Sequence, residues 1–294
     1  MTLTGKQKGI LLMMASALSF ACMQIVVRLT RNIPTMEQIF VRNLFILWVS
    51  FFYLRKNKKS LFGEKKYQPW LFARSFFGFL GLITLFYASS NASQGDVTIL
   101  NKMSPMLVTL FAVIFLKEKL QKIQIPALVL AFVGAAVVIQ PIFTSNALPI
   151  FAALLSAVSS GIAYTLLGYF KDKVDGMTVI MHFSTFSALA SIPFMLANFV
   201  MPTFKEFCLL LLIGVFGSFG QFAITYAYRC GPASEISIYN YSGILFSMVL
   251  GYVVLGEPMK STSLLGGFLV ILASVMVYLY GGKNQDKAKA KPSK

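Results

Sequence analysis

Charged side chains inside long apolar stretches are the residues of this sequence that could do chemistry. Three of its 26 Lys and Arg residues fall there, at Arg42, Arg74 and Lys102. A charge in lipid costs about 2.5–3.5 kcal/mol on insertion scales, so such a side chain should face protein or a water-filled cavity. Arg42 and Lys102 lie at similar depths, where two cations repel each other unless an anion lies between them. The pair therefore predicts a site for a carboxylate or phosphate, which Arg binds with a planar fork.

Each of these cations also has a structural interpretation. Lys102 could extend toward the membrane surface or pair with Asp96. Arg42 could pair with Glu37, five residues earlier on the same predicted helix. Arg74 lies near the predicted cytoplasmic end of its helix, so we expect its side chain to extend to that surface. The sequence leaves both interpretations of Lys102 and Arg42 open.

Other polar and aromatic side chains are candidates for the same substrate pathway. They are Asn101, Asn240, Tyr87, Tyr226, Gln24 and Tyr164. The amides need hydrogen-bond partners within a bilayer, so they either line the pathway or hold two helices together. The aromatic rings either form walls for a flat or amphipathic ligand, or simply pack.

His182 is the only histidine of the chain. Because histidine titrates near neutral pH, it is a candidate for proton coupling, and the alternative is a structural histidine. The three cysteines have no metal-ligand spacing, and no Walker motif occurs. We therefore predict no metal, no cofactor and no direct use of ATP.

The elements that position these residues are apolar helices. The composition is 57% hydrophobic and 12% charged, whereas soluble domains are about 25% charged. Ten segments are long and apolar enough to span a bilayer. They are 9–29, 37–54, 70–90, 96–116, 123–143, 148–169, 177–199, 205–227, 234–255 and 262–281. The predicted fold class is an all-α polytopic membrane protein with ten transmembrane helices.

The two halves of the chain resemble each other. Shifted by 139 residues, the stretch 74–118 aligns without a gap on 213–257, with nine of 45 positions identical. The matches include pairs of glycines, tyrosines, asparagines and glutamates. With a shift of 140, His182 falls on Arg42. A long internal repeat in an apolar chain points to a duplicated transporter.

Five helices in each half place the second half upside down relative to the first. Such inverted repeats can exchange conformations, which converts an outward-open shape into an inward-open one. We predict a first repeat over 1–146, a second over 147–282, and a basic, disordered cytoplasmic tail over 283–294. Glu118 and Glu257 end corresponding helices at the membrane boundary, and we expect them to be anchors or gate contacts.

The basic residues predict the orientation. With both termini inside, 19 of the 26 Lys and Arg lie on the cytoplasmic side and four outside. This distribution follows the positive-inside rule, and it places a multi-pass protein in the cell membrane. It also explains the net charge of +16 without nucleic acid as a partner, although anionic membrane lipid would be attracted.

Several segments carry a resemblance to a known family. They are Phe86–Ala88, Asp96–Pro105, Leu116–Glu118, Tyr226–Ala227 and Leu255–Pro258, together with Arg42. These residues resemble the drug/metabolite transporter superfamily, and specifically its EamA-type ten-helix members. The second copy departs from the pattern with Ile244 where the first has Pro105, so the helix kink that the resemblance implies is expected in the first copy and stays open in the second. The resemblance implies a carrier for small metabolites, often one that exports amino acids or related compounds.

We therefore expect a secondary transporter that exports a small, amino acid-like, zwitterionic or anionic metabolite by alternating access. The alternatives are a cationic drug or metabolite efflux carrier, a membrane-embedded enzyme and a sensor. The segment 9–29 contains no Asp or Glu, so the chain cannot exchange protons for cations as small multidrug-type antiporters do. One histidine and no paired membrane carboxylates disfavour an enzyme. The coupling species is either a proton or an exchanged metabolite, and the chain works as a monomer or a homodimer.

Overall fold

The protein is helical throughout the part of the chain that the structure describes. The computed structural model describes residues 4–30, 32–91, 94–140, 146–256 and 261–289, and these contain no strand. The helices are α1 (Gly5–Leu29), α2 (Thr35–Lys56), α3 (Gln68–Asn91), α4 (Gln94–Asn101), α5 (Ser104–Leu116), α6 (Gln124–Ile139), α7 (Ala147–Tyr169), α8 (Gly176–Ala197), α9 (Phe204–Cys230), α10 (Ala233–Ile236), α11 (Ser242–Leu255) and α12 (Ser261–Lys289). Two 3-10 segments cover Lys65–Tyr67 and Ser237–Tyr241.

The predicted all-α membrane fold is confirmed. Among the described residues, eight helical segments are long and apolar enough to cross a membrane. The fifth and tenth predicted segments are shorter apolar helices, Gln124–Ile139 and Leu264–Tyr280. Together these helices account for all ten predicted segments.

The fourth and ninth predicted segments are not continuous helices, which corrects the sequence-based interpretation. The fourth consists of α4 and α5, with a turn between them at 102–103. There the Met103 amide donates to the Leu100 carbonyl, three residues back, at 3.0 Å. Pro105 explains the break because it has no amide hydrogen to continue the helix and its ring crowds the preceding turn. The ninth consists of α10, the 3-10 segment Ser237–Tyr241 and α11.

The second break forms without a proline. Ile244 stands where the first copy has Pro105, yet the 3-10 segment lies at the matching position of the repeat. Two serine hydroxyls donate to carbonyls three residues earlier, Ser237 to Ser234 at 3.5 Å and Ser242 to Tyr239 at 2.6 Å. Such bonds compete with the regular helical ladder and favour a tighter turn. Both halves therefore carry an interrupted helix at the same place.

The helices pack in pairs that the two halves repeat. The helix α1 of the first half packs mainly on α9 of the second half. The counterpart of α1 is α7, and it packs on α3, which is the counterpart of α9. The helices α2 and α8 pack on each other, as do α6 and α12. Exchanging the halves leaves this set of neighbours unchanged, which agrees with two repeats of opposite orientation.

Small residues let these helices approach closely. Ala17 and Ala21 on α1, and Ala153 and Ala157 on α7, are buried, as expected where transmembrane helices meet. Large apolar side chains such as Trp48 instead point outward and are exposed, where lipid would cover them.

The last helix runs beyond the predicted membrane boundary. The tail predicted from 283 begins within α12, which continues to Lys289. Residues 290–294 of that tail lie outside the part of the chain that the structure describes.

Candidate functional site

Arg42 is buried on α2 where this helix faces α9. Its side chain is only 7% exposed. A Cβ added to Gly217 of α9 would lie 2.7 Å from Nε of Arg42, so this glycine provides the space for the guanidinium. The group also lies over the ring of Phe20, 5.9 Å from its centre, a cation–π contact. Nε of Arg42 has no hydrogen-bond partner among the described residues.

Arg74 does not extend to the cytoplasmic surface, so the prediction for this residue is wrong. It is only 2% exposed, and its guanidinium lies 3.9 Å from the centre of the Phe183 ring on α8. Its Nη1 lies 3.1 Å from the place that a Cβ on Gly78 would take. Gly78 follows Arg74 by one helical turn, and its missing side chain lets the guanidinium turn toward the middle of the membrane. That spacing is the sequence signal that could have identified Arg74.

The two guanidinium groups and a tyrosine form one cluster. Arg42 and Arg74 lie within electrostatic range of each other and of the Tyr164 phenol on α7. The Tyr164 ring stacks on that of Tyr228 from α9, with centroids 5.9 Å apart and 22° between the planes. We call Arg42, Arg74, Tyr164 and Tyr228 the arginine cluster. It joins side chains from four helices.

No carboxylate with a described side chain contacts the arginine cluster. Glu37, the predicted alternative partner of Arg42, instead accepts a hydrogen bond from the Val200 amide at 3.3 Å. The structural interpretation of Arg42 as an intrahelical ion pair is therefore wrong. In the described part of the chain, Nε and Nη1 of Arg74 likewise have no hydrogen-bond partner. The positive charge of the cluster is uncompensated by these described groups.

Lys102 lies at the break between α4 and α5. Its Nζ points toward α11, 3.7 Å from the position of a Cβ on Gly243. Its backbone carbonyl accepts a hydrogen bond from the Tyr241 hydroxyl at 2.8 Å. Tyr241 is the repeat counterpart of Lys102, so this bond joins the two interrupted helices. No described contact joins Lys102 to Arg42, and the side chain of Asp96 lies outside the described residues.

The two repeated asparagines have different surroundings. Asn101 donates to the Ser156 hydroxyl at 3.1 Å, and Ser156 donates to the Gly81 carbonyl at 2.8 Å. This chain of bonds holds α4 against α7 and α3. Asn240 is half-buried within the second break. The contacts of Asn101 favour the helix-joining role, and the role of Asn240 stays a prediction.

Three predicted pathway residues lie away from the arginine cluster. Tyr87, near the outer end of α3, is 43% exposed. Gln24 of α1 is also exposed. Tyr226 packs at the cytoplasmic end of α9, where a Cβ on Gly176 would lie 3.3 Å from its hydroxyl. Of the predicted tyrosines, Tyr164 alone is brought to Arg42.

His182 has a hydrogen-bond partner on the neighbouring helix. Its Nδ1 lies 2.8 Å from the Ser75 hydroxyl of α3, and its ring meets Phe62 edge-on with centroids 6.4 Å apart. Because Ser75 follows Arg74, the imidazole lies beside the arginine cluster and within electrostatic range of it. The contact favours a structural role, and a role in proton coupling stays a prediction.

A second group of charges lies at the cytoplasmic ends of the helices, and there Glu118, Glu235 and Arg229 all have described partners. Glu118 accepts hydrogen bonds from the Ala233 amide at 2.9 Å and from the amide and hydroxyl of Ser234 at 3.0 and 2.6 Å. It thereby caps α10 of the other repeat. The role of Glu118 as an anchor or a gate contact stays a prediction, and Glu257 lies outside the described residues.

The same region contains a buried ion pair that the sequence did not predict. Nζ of Lys6 lies 2.5 Å from Glu235, and the Gln121 side chain donates to the same carboxylate. Nearby, Arg229 donates to the carbonyls of Phe170 and Val174 at 3.1 and 2.7 Å. We call the groups around Glu118, Glu235 and Arg229 the cytoplasmic cluster. It ties α1, α5, α7, α9 and α10 together.

Comparisons with known proteins identify the family. The model of the EamA-like transporter family matches residues 7–140 and 147–279. The chain belongs to the EamA-like transporter family. This confirms the resemblance to the drug/metabolite transporter superfamily, and the protein is a multi-pass membrane transporter of small metabolites.

Named relatives of this EamA-family chain include carriers for different compounds. It is 28% identical over 273 residues to the pseudopaline exporter CntI of Pseudomonas aeruginosa, covering 92% of this chain and 95% of the relative. It is 23% identical to the S-adenosylmethionine uptake transporter of Rickettsia prowazekii, covering 72% and 71%. Human solute carrier family 35 member G1 is also 23% identical, with 90% and 77% covered.

A solved crystal structure shares the fold of this EamA-family protein. It superposes with a TM-score of 0.82 at 14% sequence identity, and covers 94% of this chain and 98% of the other. This similarity supports the helix arrangement.

Proposed function

We propose that this EamA-family protein is a secondary carrier that exports a small, amino acid-like metabolite of zwitterionic or anionic character by alternating access. In this account the chain moves its substrate unchanged and is not an enzyme. Its two repeats are 1–146 and 147–282, with both termini in the cytoplasm.

The uncompensated charge of Arg42 is the single observation that carries the substrate class. A buried charge is strongly unfavourable unless it is paired and hydrogen-bonded. No described carboxylate pairs with this guanidinium, and its Nε has no partner among the described residues. A substrate carboxylate would provide both the charge and the acceptors, because it matches the guanidinium fork. Arg42 is therefore expected to bind the anionic end of the substrate.

The cytoplasmic cluster supports alternating access. It joins the two repeats at one face of the membrane through the Glu118 cap of α10 and through the Lys6–Glu235 pair. Opening the carrier to the cytoplasm must separate these groups. We propose that the inward-open state forms when this cluster breaks and the corresponding contacts close on the outer side, as inverted repeats allow.

The relatives favour export over uptake. The relative with 28% identity over most of both chains is named an exporter. Those named S-adenosylmethionine uptake transporters are 23–24% identical over a smaller share. Efflux of cations is the weaker alternative, because Arg42, Arg74 and Lys102 would repel a cation at mid-membrane depth.

A ligand screen on the purified protein tests this proposal. Thermal unfolding would be followed with amino acids, organic acids, nucleosides and cationic drugs, because a ligand that binds the folded state raises its apparent stability. We expect carboxylate-containing compounds to raise the unfolding midpoint. Counterflow in proteoliposomes would then show that the stabilising compound is transported.

Two arginines of α2 provide a matched pair for this test. Arg42→Gln should abolish the stabilisation and the counterflow. Arg55→Gln, in the exposed last turn of the same helix, should leave both unchanged. Stabilisation by cationic compounds alone would contradict the proposed substrate class. Chemical conversion of the compound during counterflow would contradict a carrier.

A further inference from the structure

We infer that the arginine cluster binds two negative charges at once, so that the substrate is a dianion whose two anionic groups engage Arg42 and Arg74. This inference rests on the proposed function and narrows its substrate class. It also assigns a binding role to Arg74, which the sequence placed at the membrane surface.

The guanidinium of Arg74 has N–H groups without a described acceptor. Its Nε and Nη1 are buried and, among the described residues, lack hydrogen-bond partners. The Phe183 ring covers one face of the guanidinium at 3.9 Å. The N–H groups at the edge of the guanidinium therefore still need hydrogen-bond acceptors. An aromatic face attracts a cation but accepts no in-plane N–H group. The edge of Arg74 is thus free to bind an anionic oxygen.

The two arginines are positioned by different parts of the fold. They come from different helices, α2 and α3, and are supported by different neighbours, Gly217 of α9 and Phe183 of α8. The helices α2 and α3 nevertheless both pack on α8, and the two arginines lie within electrostatic range of each other. Two buried cations that repel each other make the empty site unfavourable, and a single negative charge would compensate only one of them. A dianion compensates both.

The aromatic groups beside the arginines add a further hydrogen-bond donor. The Tyr228 hydroxyl is buried and has no hydrogen-bond partner among the described residues, and its ring stacks on Tyr164. A phenol can donate to an anionic oxygen. Its position adds a neutral donor to the two charged forks. Every unpartnered group of the cluster that the structure describes is thus a hydrogen-bond donor or can act as one, as expected for a site that receives acceptors only.

Matched ligands that differ in one charge test this inference. Glutamate and glutamine, aspartate and asparagine, and glutarate and glutaramate each share a skeleton. The first member has two carboxylates and is called the dianion with respect to these groups, although the amino acids also carry an ammonium, and the second member has one carboxylate replaced by an amide. Apparent Kd values would come from thermal unfolding or calorimetry on the purified protein.

The wild type should bind at least one dianion more tightly than its half-amide by about tenfold or more, which corresponds to about 1.4 kcal/mol. Arg74→Gln should reduce this preference to less than about threefold, because it weakens binding of the dianion far more than binding of the half-amide. Arg74→Lys, which keeps the charge but loses the planar fork, should give an intermediate preference. Arg55→Gln serves as the control on the exposed surface.

The outcomes separate the two proposals. If monoanions and dianions bind equally well and Arg74→Gln weakens both alike, Arg74 has a structural role and this inference is overturned while the proposed function stands. If only cations or neutral compounds bind, the proposed function fails as well. Should Arg74→Gln yield no monodisperse protein, the wild-type ratio between dianion and half-amide decides: a ratio near one in all pairs contradicts the inference.

Discussion

The arginine cluster and the cytoplasmic cluster differ in whether their charged groups have partners. In the cytoplasmic cluster each carboxylate has its partners: Glu235 pairs with Lys6, and Glu118 accepts three hydrogen bonds. In the arginine cluster, Arg42 and Arg74 are more deeply buried and have no described counter-ion. We propose that this difference separates charges that hold the two repeats together from charges that bind a ligand.

The largest effect is expected at Arg42. Arg42→Ala removes the guanidinium that would bind the substrate anion, so transport into proteoliposomes should fall by about a hundredfold or more, as for loss of a charge-assisted, bidentate contact. Size-exclusion chromatography should show folded, monodisperse protein. Wild-type transport in this variant would defeat the anion site.

A somewhat smaller effect is expected from Gly217→Ala. Its Cβ would lie 2.7 Å from Nε of Arg42 and 2.9 Å from Cγ, so the arginine must shift and transport should fall by about tenfold. Gly243→Ala is the matched control, because its nearest contact would be an ordinary 3.6 Å. Equal transport in the two variants would show that the position of Arg42 does not matter.

Breaking the cytoplasmic cluster should change access more than binding. Glu235→Gln leaves Lys6 without its anion, so the inward-open state should become more populated. Cys230, at the cytoplasmic end of α9, should then react with a maleimide about threefold to tenfold faster in a chain with Cys22→Ser and Cys208→Ser, the range for a shift of about 0.6–1.4 kcal/mol. Ligand affinity should change little.

The reciprocal replacement checks that the charge pair itself is responsible. Lys6→Glu combined with Glu235→Lys restores an ion pair, and the labelling rate should return toward that of the parent. If both the single and the double replacement label at the parent rate, the Lys6–Glu235 pair does not hold the cytoplasmic face closed.

The smallest effect is expected at His182. His182→Gln removes the contact with Ser75, which should lower the free energy of unfolding by about 1 kcal/mol, the net value of a typical hydrogen bond. The pH dependence of transport between about 5.5 and 7.5 should remain as in the wild type. A flattened profile would instead assign the coupling proton to His182.

The sequence predicts the membrane helices well because bilayer thickness and hydropathy set their number and length. Average hydropathy does not predict the breaks in the fourth and ninth segments, and Pro105 indicates only the first of them. Average hydropathy is insensitive to a single displaced hydrogen bond at Met103, and the second break depends on serine hydroxyls rather than on a proline.

The site is only partly predictable because helix packing decides which buried side chains meet. Arg42 and Tyr164 are identified from charge and from the repeat. Arg74 is misplaced, since counting residues from the helix end ignores the space left by Gly78. Tyr87 and Gln24 occupy positions that the repeat alone makes plausible, yet their helices turn these side chains away from the arginine cluster.

The unfolding midpoints of four proteins, each with and without the best stabilising anion, decide whether Arg42 and Arg74 bind a ligand. The four proteins are the wild type, Arg42→Gln, Arg74→Gln and the double variant. If the arginines await a ligand, removing either charge should leave the ligand-free midpoint unchanged or raise it by about 2 °C or more, because the repulsion between them is relieved. The stabilisation by the anion should be largest in the wild type and absent in the double variant. Midpoints that fall by several degrees without ligand, together with an undiminished gain from the anion, would show that both arginines serve the fold and would contradict this account.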